Sequence, residues 1–291
     1  KTNNPYFKDK DIHTLPIEVL DMITAMDVEE YLSYLESYTK DGKLYTNREE
    51  GKARKLSSLK SFYDYYFKKN LIRTNPPRQV DVPKIKSKNI IRLDPNEIAQ
   101  LLDEAESGEK LSGRQLASHE KTKVRDVAIL TLLLGTGIRV SECVGLNLED
   151  VDFNNGAIRI IRKGGNEALI YFGDEVSQAL EAYMNGPRKK DEPAAGHEEA
   201  LFISLNKTRI TTRSVERLVK KYSRLVTTVK KITPHKLRST FGTALYQETG
   251  DIYLVADTLG HKDVNTTKKH YAAIDEHRRR MAANVVKLRE S

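Results

Sequence analysis

The chain of 291 residues contains a single cysteine, Cys143, and has no long apolar run. One thiol cannot form an internal disulfide or a Cys-based zinc framework, and such sparse cysteine use is typical of a reducing interior. No stretch approaches the roughly 20 apolar residues that cross a bilayer. No charged start followed by a short apolar stretch indicates a signal peptide. The sequence therefore predicts a cytoplasmic protein without a membrane partner.

Two further kinds of site have no signal in the sequence. Residues 162–167, with the letters RKGGNE, are rich in glycine but lack the G-x-x-x-x-G-K-[ST] pattern of a P-loop. No group of His, Cys, Asp and Glu residues shows the spacing of a metal site. We therefore expect no ATP site, no metal and no cofactor.

Positive charge is present in excess and is unevenly distributed. The net charge is +8, and residues 51–90 carry eleven Lys or Arg against two acids, whereas residues 1–50 are net acidic. A segment of this kind can replace counterions along a phosphate backbone. A solvated helix face followed by a charged linker explains the same pattern. The candidate DNA contacts in and near this segment are Lys52, Arg54, Lys55, Lys60, Lys84, Lys86 and Lys88.

The first part of the chain is predicted to be a small helical domain, residues 1–77. Apolar residues at helical spacing predict helices over residues 16–25, 28–38 and 48–69. The third helix is expected to turn one apolar face inward and most of its lysines outward, the inward residues being Leu56, Leu59, Phe62, Tyr63 and Phe67. Asn75-Pro76-Pro77 is expected to end the domain, and residues 78–90 to form an extended basic linker.

Residues 91–291 are predicted to form a second domain. Its first helix begins with Asp94 as N-cap, Pro95 at the first helical position and Glu97 where a capping box needs it. Residues 103–121 are polar and interrupted by glycine, so we expect mostly loop there, followed by an apolar helix over residues 124–134.

The hydrophobic period then changes to two. Residues 157–162 and 168–172 alternate and are joined by a Gly-rich turn, which predicts a β-hairpin. The fold class is therefore mainly α with a small antiparallel β-sheet.

Several residues in the second domain are of types that can bind the phosphate oxygens of a phosphodiester. More negative charge develops on the phosphate oxygens in the transition state of transfer, and a guanidinium supplies a permanent charge with a fork of donors. Arg139 follows the break Gly135-Thr-Gly137 and is expected to stand at the start of a new helix, with Glu142 on the same face to orient it. In isolation, Arg139 would be read as an ordinary surface arginine.

A second helix start carries another pair of candidates. His235 and Arg238 are three residues apart after Thr233-Pro234, so both side chains can reach one ligand from the first turn. His235 is suited to take a proton. His261 follows the helix stop Leu259-Gly260 and can donate to a phosphate oxygen. A lone histidine is more often structural, but two histidines framing an arginine favour a site.

Taken together, these residues carry a family resemblance. They stand in the strings GTGIRVSE, RKGGNE, TPHKLRST and LGHKDVNTT, followed by a tyrosine. The set resembles the tyrosine recombinases, the family of phage integrases and Xer-type chromosome resolvases. The resemblance covers nearly the whole chain, is particularly close to a single-recombinase Xer type, and leaves mobile-element integrases as close competitors.

The resemblance implies a mechanism and an assembly. Tyr271 would be the nucleophile and form a 3′-phosphotyrosyl ester, Lys163 would protonate the leaving 5′ oxygen, and Arg139, His235, Arg238 and His261 would surround the phosphate. It further implies a helical core-binding domain and a mixed α/β catalytic domain that form a C-shaped clamp on double-stranded DNA. Four protomers would act on two duplexes in the nucleoid, and accessory DNA-bending or directionality proteins are compatible partners.

The N-terminal and C-terminal parts of the chain can each be compared with those of this family. The usual first helix of the core-binding domain is not evident, and the chain starts at Lys1, so we expect an N-terminal truncation. Residues 275–289 are amphipathic and basic, as are the tails that this family docks onto a neighbouring protomer. A helix packed on its own domain is the alternative.

The tyrosine departs from the family pattern. Tyr271 lies ten residues after His261, one more than in most members, and His270 occupies the usual position. We assign Tyr271 because no other tyrosine follows His261.

Two other functions remain open at this point. A type IB topoisomerase would share the chemistry but relax DNA as a monomer without pairing two sites. A catalytically silent DNA-binding protein would explain the shifted tyrosine, although the complete set of cations speaks against it.

Overall fold

The computed structural model describes residues 10–85, 91–162, 164–261 and 263–264. The chain divides into two compact units, Lys1–Lys88 and Asn89–Ser291. Both are rich in helix, and the sheets in the described residues are antiparallel and small, with two and three strands. The predicted fold class is confirmed. Among the described residues, none of the helices combines the length and apolar character needed to cross a bilayer.

The first unit is built from two longer helices with a hairpin between them. Its described elements are 3-10 helices Ile12–Thr14 and Ile17–Met22, α1 (Ala25–Tyr34), β1 (Ser37–Lys40), β2 (Lys43–Thr46), α2 (Glu49–Lys68) and α3 (Pro76–Gln79). Thr24 and Asp27 form a capping box that begins α1. The core of the unit consists of Val28, Leu32, Leu35, Leu56 and Val80.

The prediction for the second helix is wrong at its end. The helix stops at Tyr34, and Tyr38 lies in β1, paired with Tyr45 of β2. Asp41 and Gly42 join the strands with φ of 52° and 71°. Two consecutive positive φ angles form the kind of tight turn that Asp-Gly favours in hairpins. The local turn preference therefore prevails over the helical spacing of the apolar residues.

The third predicted helix is confirmed as α2, but part of its predicted inner face is wrong. Leu56 and Tyr63 are buried, whereas Phe62 and Phe67 are 45% and 43% exposed. The row of buried residues on α2 is narrow, and Phe62 lies beside it. Phe67 lies in the last turn of the helix.

The first unit also extends beyond Pro77, where the sequence prediction placed its end. Pro76 and Pro77 are buried in α3, and Val80 belongs to the core. The carbonyl of Val80 accepts a hydrogen bond from Lys60 Nζ at 2.8 Å. Residues 78–80, predicted as the start of a linker, therefore pack with the first unit.

The second unit packs helices and a three-stranded sheet around the apolar helix that the sequence predicted. Its described elements are α4 (Pro95–Ser107), α5 (Gly113–Thr136), α6 (Val140–Gly145), a 3-10 turn Leu148–Asp150, β3 (Val151–Asp152), β4 (Ala157–Ile161), β5 (Glu167–Tyr171), α7 (Asp174–Tyr183), a π-helical turn Met184–Arg188, α8 (Thr212–Val226), α9 (Pro234–Thr249) and α10 (Ile252–Thr258). The predicted start of α4 is confirmed, since Asp94 N–H donates to Glu97 Oε2 at 2.8 Å.

Residues 113–121 correct the expectation of a loop, because they form the first part of α5. Ser112 caps this start, and its N–H donates to Gln115 Oε1 at 3.3 Å. His119 is fully buried, and its Nδ1 lies 3.0 Å from Tyr222 Oη of α8. This polar segment is therefore helical, and one of its polar side chains is buried in contact with a helix distant in sequence.

The predicted β-hairpin is confirmed and leads toward the site. β4 pairs with β5 from Ala157–Tyr171 to Ile161–Glu167. Ile158 and Ile160 of β4 point into the core, whereas Ile161 is exposed. Because side chains alternate between the two faces of a strand, the burial of Ile158 and Ile160 places Ile161, the last residue of β4, on the opposite face.

Candidate active site

The site is organised around the C-terminal turn of α10, where three consecutive carbonyls accept hydrogen bonds from three arginines. We call residues 258–260 the carbonyl turn. Its pairs are Arg162 with Thr258 O (3.1 Å), Arg238 with Leu259 O, and Arg139 with Gly260 O (3.2 Å). The last carbonyls of a helix carry partial negative charge and lack helical partners, so cations stabilise them. One turn therefore gathers arginines from three separate elements.

Arg139 is the N-cap of α6, as its position after Gly137 predicted. Glu142 holds it twice: Oε2 accepts from the Arg139 backbone N–H and Oε1 accepts from Nη1, both at 2.7 Å. The Glu142 side chain is 4% exposed, whereas that of Arg139 is 38% exposed. The guanidinium is therefore fixed from behind while part of it reaches solvent.

Arg238 is the fifth residue of α9 and is buried. Its Nη1 donates to Gly137 O at 2.6 Å, and its Nη2 to Leu259 O. Gly137 ends α5 with φ of +63°, and a Cβ there would lie 2.3 Å from the Phe241 ring. Only glycine fits this backbone and this space. Arg238 thereby joins the chain entering α6 to the carbonyl turn.

The two histidines flank Arg238 along the chain. His235 is exposed on the first turn of α9, which Pro234 begins, three residues before Arg238. His261 follows the carbonyl turn directly, and its backbone N–H donates to Ala256 O at 2.8 Å. The buried side chain of Leu259 anchors this turn against Val255. The described structure thus brings Arg139, Arg238 and the backbone of His261 together.

Lys163 and Tyr271 lie outside the described residues, as do Lys86, Lys88 and the tail over residues 275–289. The residues on either side of Lys163 are described. Arg162 N–H donates to Asn166 O at 2.8 Å, and Gly165 N–H donates to Arg162 O at 3.0 Å. These bonds close the turn between β4 and β5.

Arg162 was not among the candidates from the sequence. The one signal available was its place directly before Lys163 in the RKGGNE string. Its partners Asp257 and Thr258 lie about a hundred residues away along the chain and carry no motif for arginine binding. Its contribution follows from the tertiary structure.

The basic residues of the first unit differ in availability. Lys52 is buried, and its Nζ lies 2.5 Å from Glu36 and 2.8 Å from Glu49. These carboxylates, Glu36 first, raise the pKa of Lys52. The two ion pairs favour a structural role for Lys52, and its contact with phosphate stays a prediction.

The remaining described candidates divide by exposure. Lys60 is half-buried and donates to Val80 O, and its contact with phosphate likewise stays a prediction. Arg54 and Lys84 are exposed, and Lys55 is half-buried.

Cys143 is fully buried on α6, and burial raises the pKa of its thiol to about 12, so it remains a protonated core residue. Within the described ranges, no group of three or more His, Cys, Asp or Glu side chains is arranged to hold a metal ion.

Comparisons with known proteins bear on this arrangement. A tyrosine recombinase XerC of Thermodesulfovibrio yellowstonii is 37% identical over 218 residues, 74% of this chain and 69% of the relative. A tyrosine recombinase XerC of Caldanaerobacter subterraneus is 31% identical over 281 residues, 96% of this chain and 72% of the relative. The predicted resemblance to tyrosine recombinases of the Xer type is confirmed.

A solved structure shows the same fold. The Tn1549 transposon integrase, solved in complex with circular intermediate DNA, superposes with a TM-score of 0.66 at 24% identity, covering 90% of this chain and 86% of that one. The model of the phage integrase family matches residues 91–278, which include every candidate catalytic residue. The chain therefore belongs to the phage integrase family.

Proposed function

We propose that this chain is a site-specific DNA recombinase of the Xer type, which cuts and rejoins double-stranded DNA through a phosphotyrosyl intermediate. The observation that carries the proposal is the carbonyl turn, which holds Arg139 and Arg238 beside His261. Two fixed guanidiniums match the charge that develops on a phosphodiester during transfer.

The proposed reaction proceeds in two balanced steps. Tyr271 Oη attacks the phosphorus and its proton passes to His235, while the bond from phosphorus to the 5′ oxygen breaks. Lys163 gives a proton to that oxygen, which leaves as a 5′ hydroxyl. The 5′ hydroxyl of the partner strand then gives its proton to Lys163 and attacks the phosphotyrosyl ester. The bond from phosphorus to Tyr271 Oη breaks, and His235 returns the proton to Tyr271. Because the ester retains the energy of the broken bond, no nucleotide is consumed.

The pre-positioned arginines explain why such a site would be effective. Arg139 and Arg238 are held by carboxylate and carbonyl oxygens of the chain itself. Fixed dipoles and charges need no reorganisation as the transition state forms. His261 would donate to a phosphate oxygen from the end of the same turn.

The assembly and the biological outcome belong to the same proposal. We infer that four protomers join two duplexes in the nucleoid and that accessory DNA-bending or directionality proteins act with them. The resemblance to Xer-type chromosome resolvases favours resolution of joined chromosomes. Integration or excision of a mobile element is the second outcome, which the resemblance also accommodates.

A covalent-capture experiment tests the proposal. The full chain is incubated in EDTA with sheared DNA from its own source, denatured with SDS, and the attached DNA is sequenced, with Tyr271→Phe and His270→Phe in parallel. We expect attachment at a discrete site that is lost in Tyr271→Phe and retained in His270→Phe.

Other outcomes decide between the alternatives. Binding without an adduct, also after addition of partner proteins, would contradict catalysis and favour a silent DNA-binding protein. Relaxation of supercoiled plasmid by a monomer at many sites would favour a topoisomerase.

A further inference from the structure

The β4–β5 hairpin is linked to the carbonyl turn by one side chain. Arg162 follows the last residue of β4, and its main chain closes the turn through Asn166 and Gly165. Its guanidinium leaves the hairpin and donates to Thr258 O at 3.1 Å and to Asp257 O at 3.4 Å. A single residue therefore belongs by its backbone to the hairpin and by its side chain to the end of α10.

The fit around this guanidinium is close. A Cβ on Gly260, which has φ of +60°, would lie 2.3 Å from Arg162 Nη1. The Nε of Arg162 is buried and has no hydrogen-bond partner among the described residues. A buried donor without a partner costs free energy, and such a cost in a native structure is often found where position serves a function.

We infer that Arg162 is a positioning residue for cleavage: it fixes the turn of the β4–β5 hairpin, which contains Lys163 in sequence, against the carbonyl turn that holds Arg139 and Arg238. This inference rests on the proposed function. The third strand, β3, pairs only with Ala157 and Ile158 at the start of β4, so the hairpin is two-stranded toward its tip. Two strands alone are only marginally stable, so this end needs a further contact to keep one position. Arg162 supplies that contact at the base of the turn.

A change of leaving group in the substrate distinguishes a positioning role of Arg162 from a general loss of structure. If Arg162 acts through the proton donor Lys163, its loss should matter only when the leaving group needs a proton. Replacing the 5′-bridging oxygen at the cleavage position with sulfur gives a leaving group that departs as a thiolate. In that substrate the phosphorus–sulfur bond breaks and no proton has to be supplied.

The test compares adduct formation by full-length variants on a duplex carrying the site found by covalent capture, with oxygen or sulfur at the bridge. Misplacement of a catalytic group by about 1 Å costs on the order of 100-fold in rate, and we expect Arg162→Ala to slow cleavage of the oxygen substrate by about that factor. On the sulfur substrate it should approach the wild-type rate. Lys163→Ala should behave the same way, and Arg139→Ala should remain slow on both.

A matched variant controls for lost stability. Arg188 is buried and, like Arg162, binds main-chain carbonyls, those of Ala200 and Glu198. Arg188→Ala should unfold at a lower temperature yet cleave both substrates like the wild type well below that temperature.

Two results would overturn the inference, and a third would contradict the proposed function instead. Equal slowing of Arg162→Ala on both substrates would overturn the inference, because the defect would then lie in the phosphate-binding groups or the fold. Wild-type rates on the oxygen substrate would overturn it as well. Failure of the wild type to form an adduct on either substrate would instead contradict the proposed function.

Discussion

Arg139 donates from its guanidinium to the carbonyl of Gly260, 3.2 Å away and 121 residues along the chain. The same guanidinium is paired with Glu142 at 2.7 Å. A carboxylate of its own helix and a carbonyl of a distant one therefore set its position together. The contact with Glu142 follows from the local sequence, whereas the contact with Gly260 depends on the tertiary fold.

Removal of the charge on Glu142 should impair cleavage more than DNA binding. Glu142→Gln weakens two hydrogen bonds that position Arg139. Hydrogen bonds to charged groups contribute about 1.5–3 kcal/mol, so we expect adduct formation to slow by roughly 10- to 100-fold. Glu149→Gln is the matched control, since Glu149 forms an exposed ion pair with Arg159 at 3.2 Å. Wild-type cleavage by Glu142→Gln, measured as adduct per minute, would refute an orienting role.

Alanine at Gly137 should destabilise the second unit. The positive φ costs a non-glycine residue roughly 1–2 kcal/mol, and the clash with Phe241 adds about 1–3 kcal/mol. Gly196 has φ of +83° but open space around its Cβ position, so Gly196→Ala tests the backbone cost alone. Urea unfolding should show the larger loss for Gly137→Ala. Equal losses would mean that Phe241 moves aside without cost.

Stability of the second unit should fall as the pH is lowered through the normal range of histidine. Burial lowers the pKa of His119 below its ordinary value. The unfolded chain then binds the proton more readily, so stability is full above about pH 6.5, the unfolded pKa, and declines as the pH falls below it. His119→Asn should flatten this decline between about pH 7.5 and 5.5 in thermal unfolding.

His197 provides the comparison for that experiment, since it is a partly exposed histidine of the same unit. His197→Asn should retain the wild-type dependence on pH. An unchanged decline in His119→Asn would assign the effect to other groups.

Arg54 and Lys52 should differ in their effect on DNA binding although each carries one positive charge. Arg54 is exposed, whereas Lys52 is buried against Glu36. Arg54→Met should reduce the slope of log affinity against log salt by about 1, as expected for one lost phosphate contact. Lys52→Met should leave the slope unchanged and lower the unfolding temperature. Fluorescence anisotropy with a labelled duplex measures the slopes, and equal reductions would contradict the structural role of Lys52.

Helix starts were the most predictable part of the molecule. Asp94 with Pro95, Thr233 with Pro234, and Arg139 after Gly137 begin helices where the sequence indicated. These signals are local, because caps and prolines act within one turn of the chain. The β4–β5 hairpin was predictable for the same reason.

Features that depend on distant partners were not predictable. The polar start of α5 resembled a loop because the contact of His119 with Tyr222 of α8 is not visible in local hydropathy. The hairpin of β1 and β2 was not predicted, because the apolar residues over 28–38 have a spacing that is also typical of a helix. Arg162 lacked any signal of its bond to Thr258.

The sequence by itself determined the family, the helix starts and the identity of most candidate groups, because motif order and capping are properties of the linear chain. Only the tertiary structure decided how those groups are held. Arg139, Arg162 and Arg238 meet at one helix end because three carbonyls there lack helical partners. That meeting point arises only when α6, β4, α9 and α10 pack together.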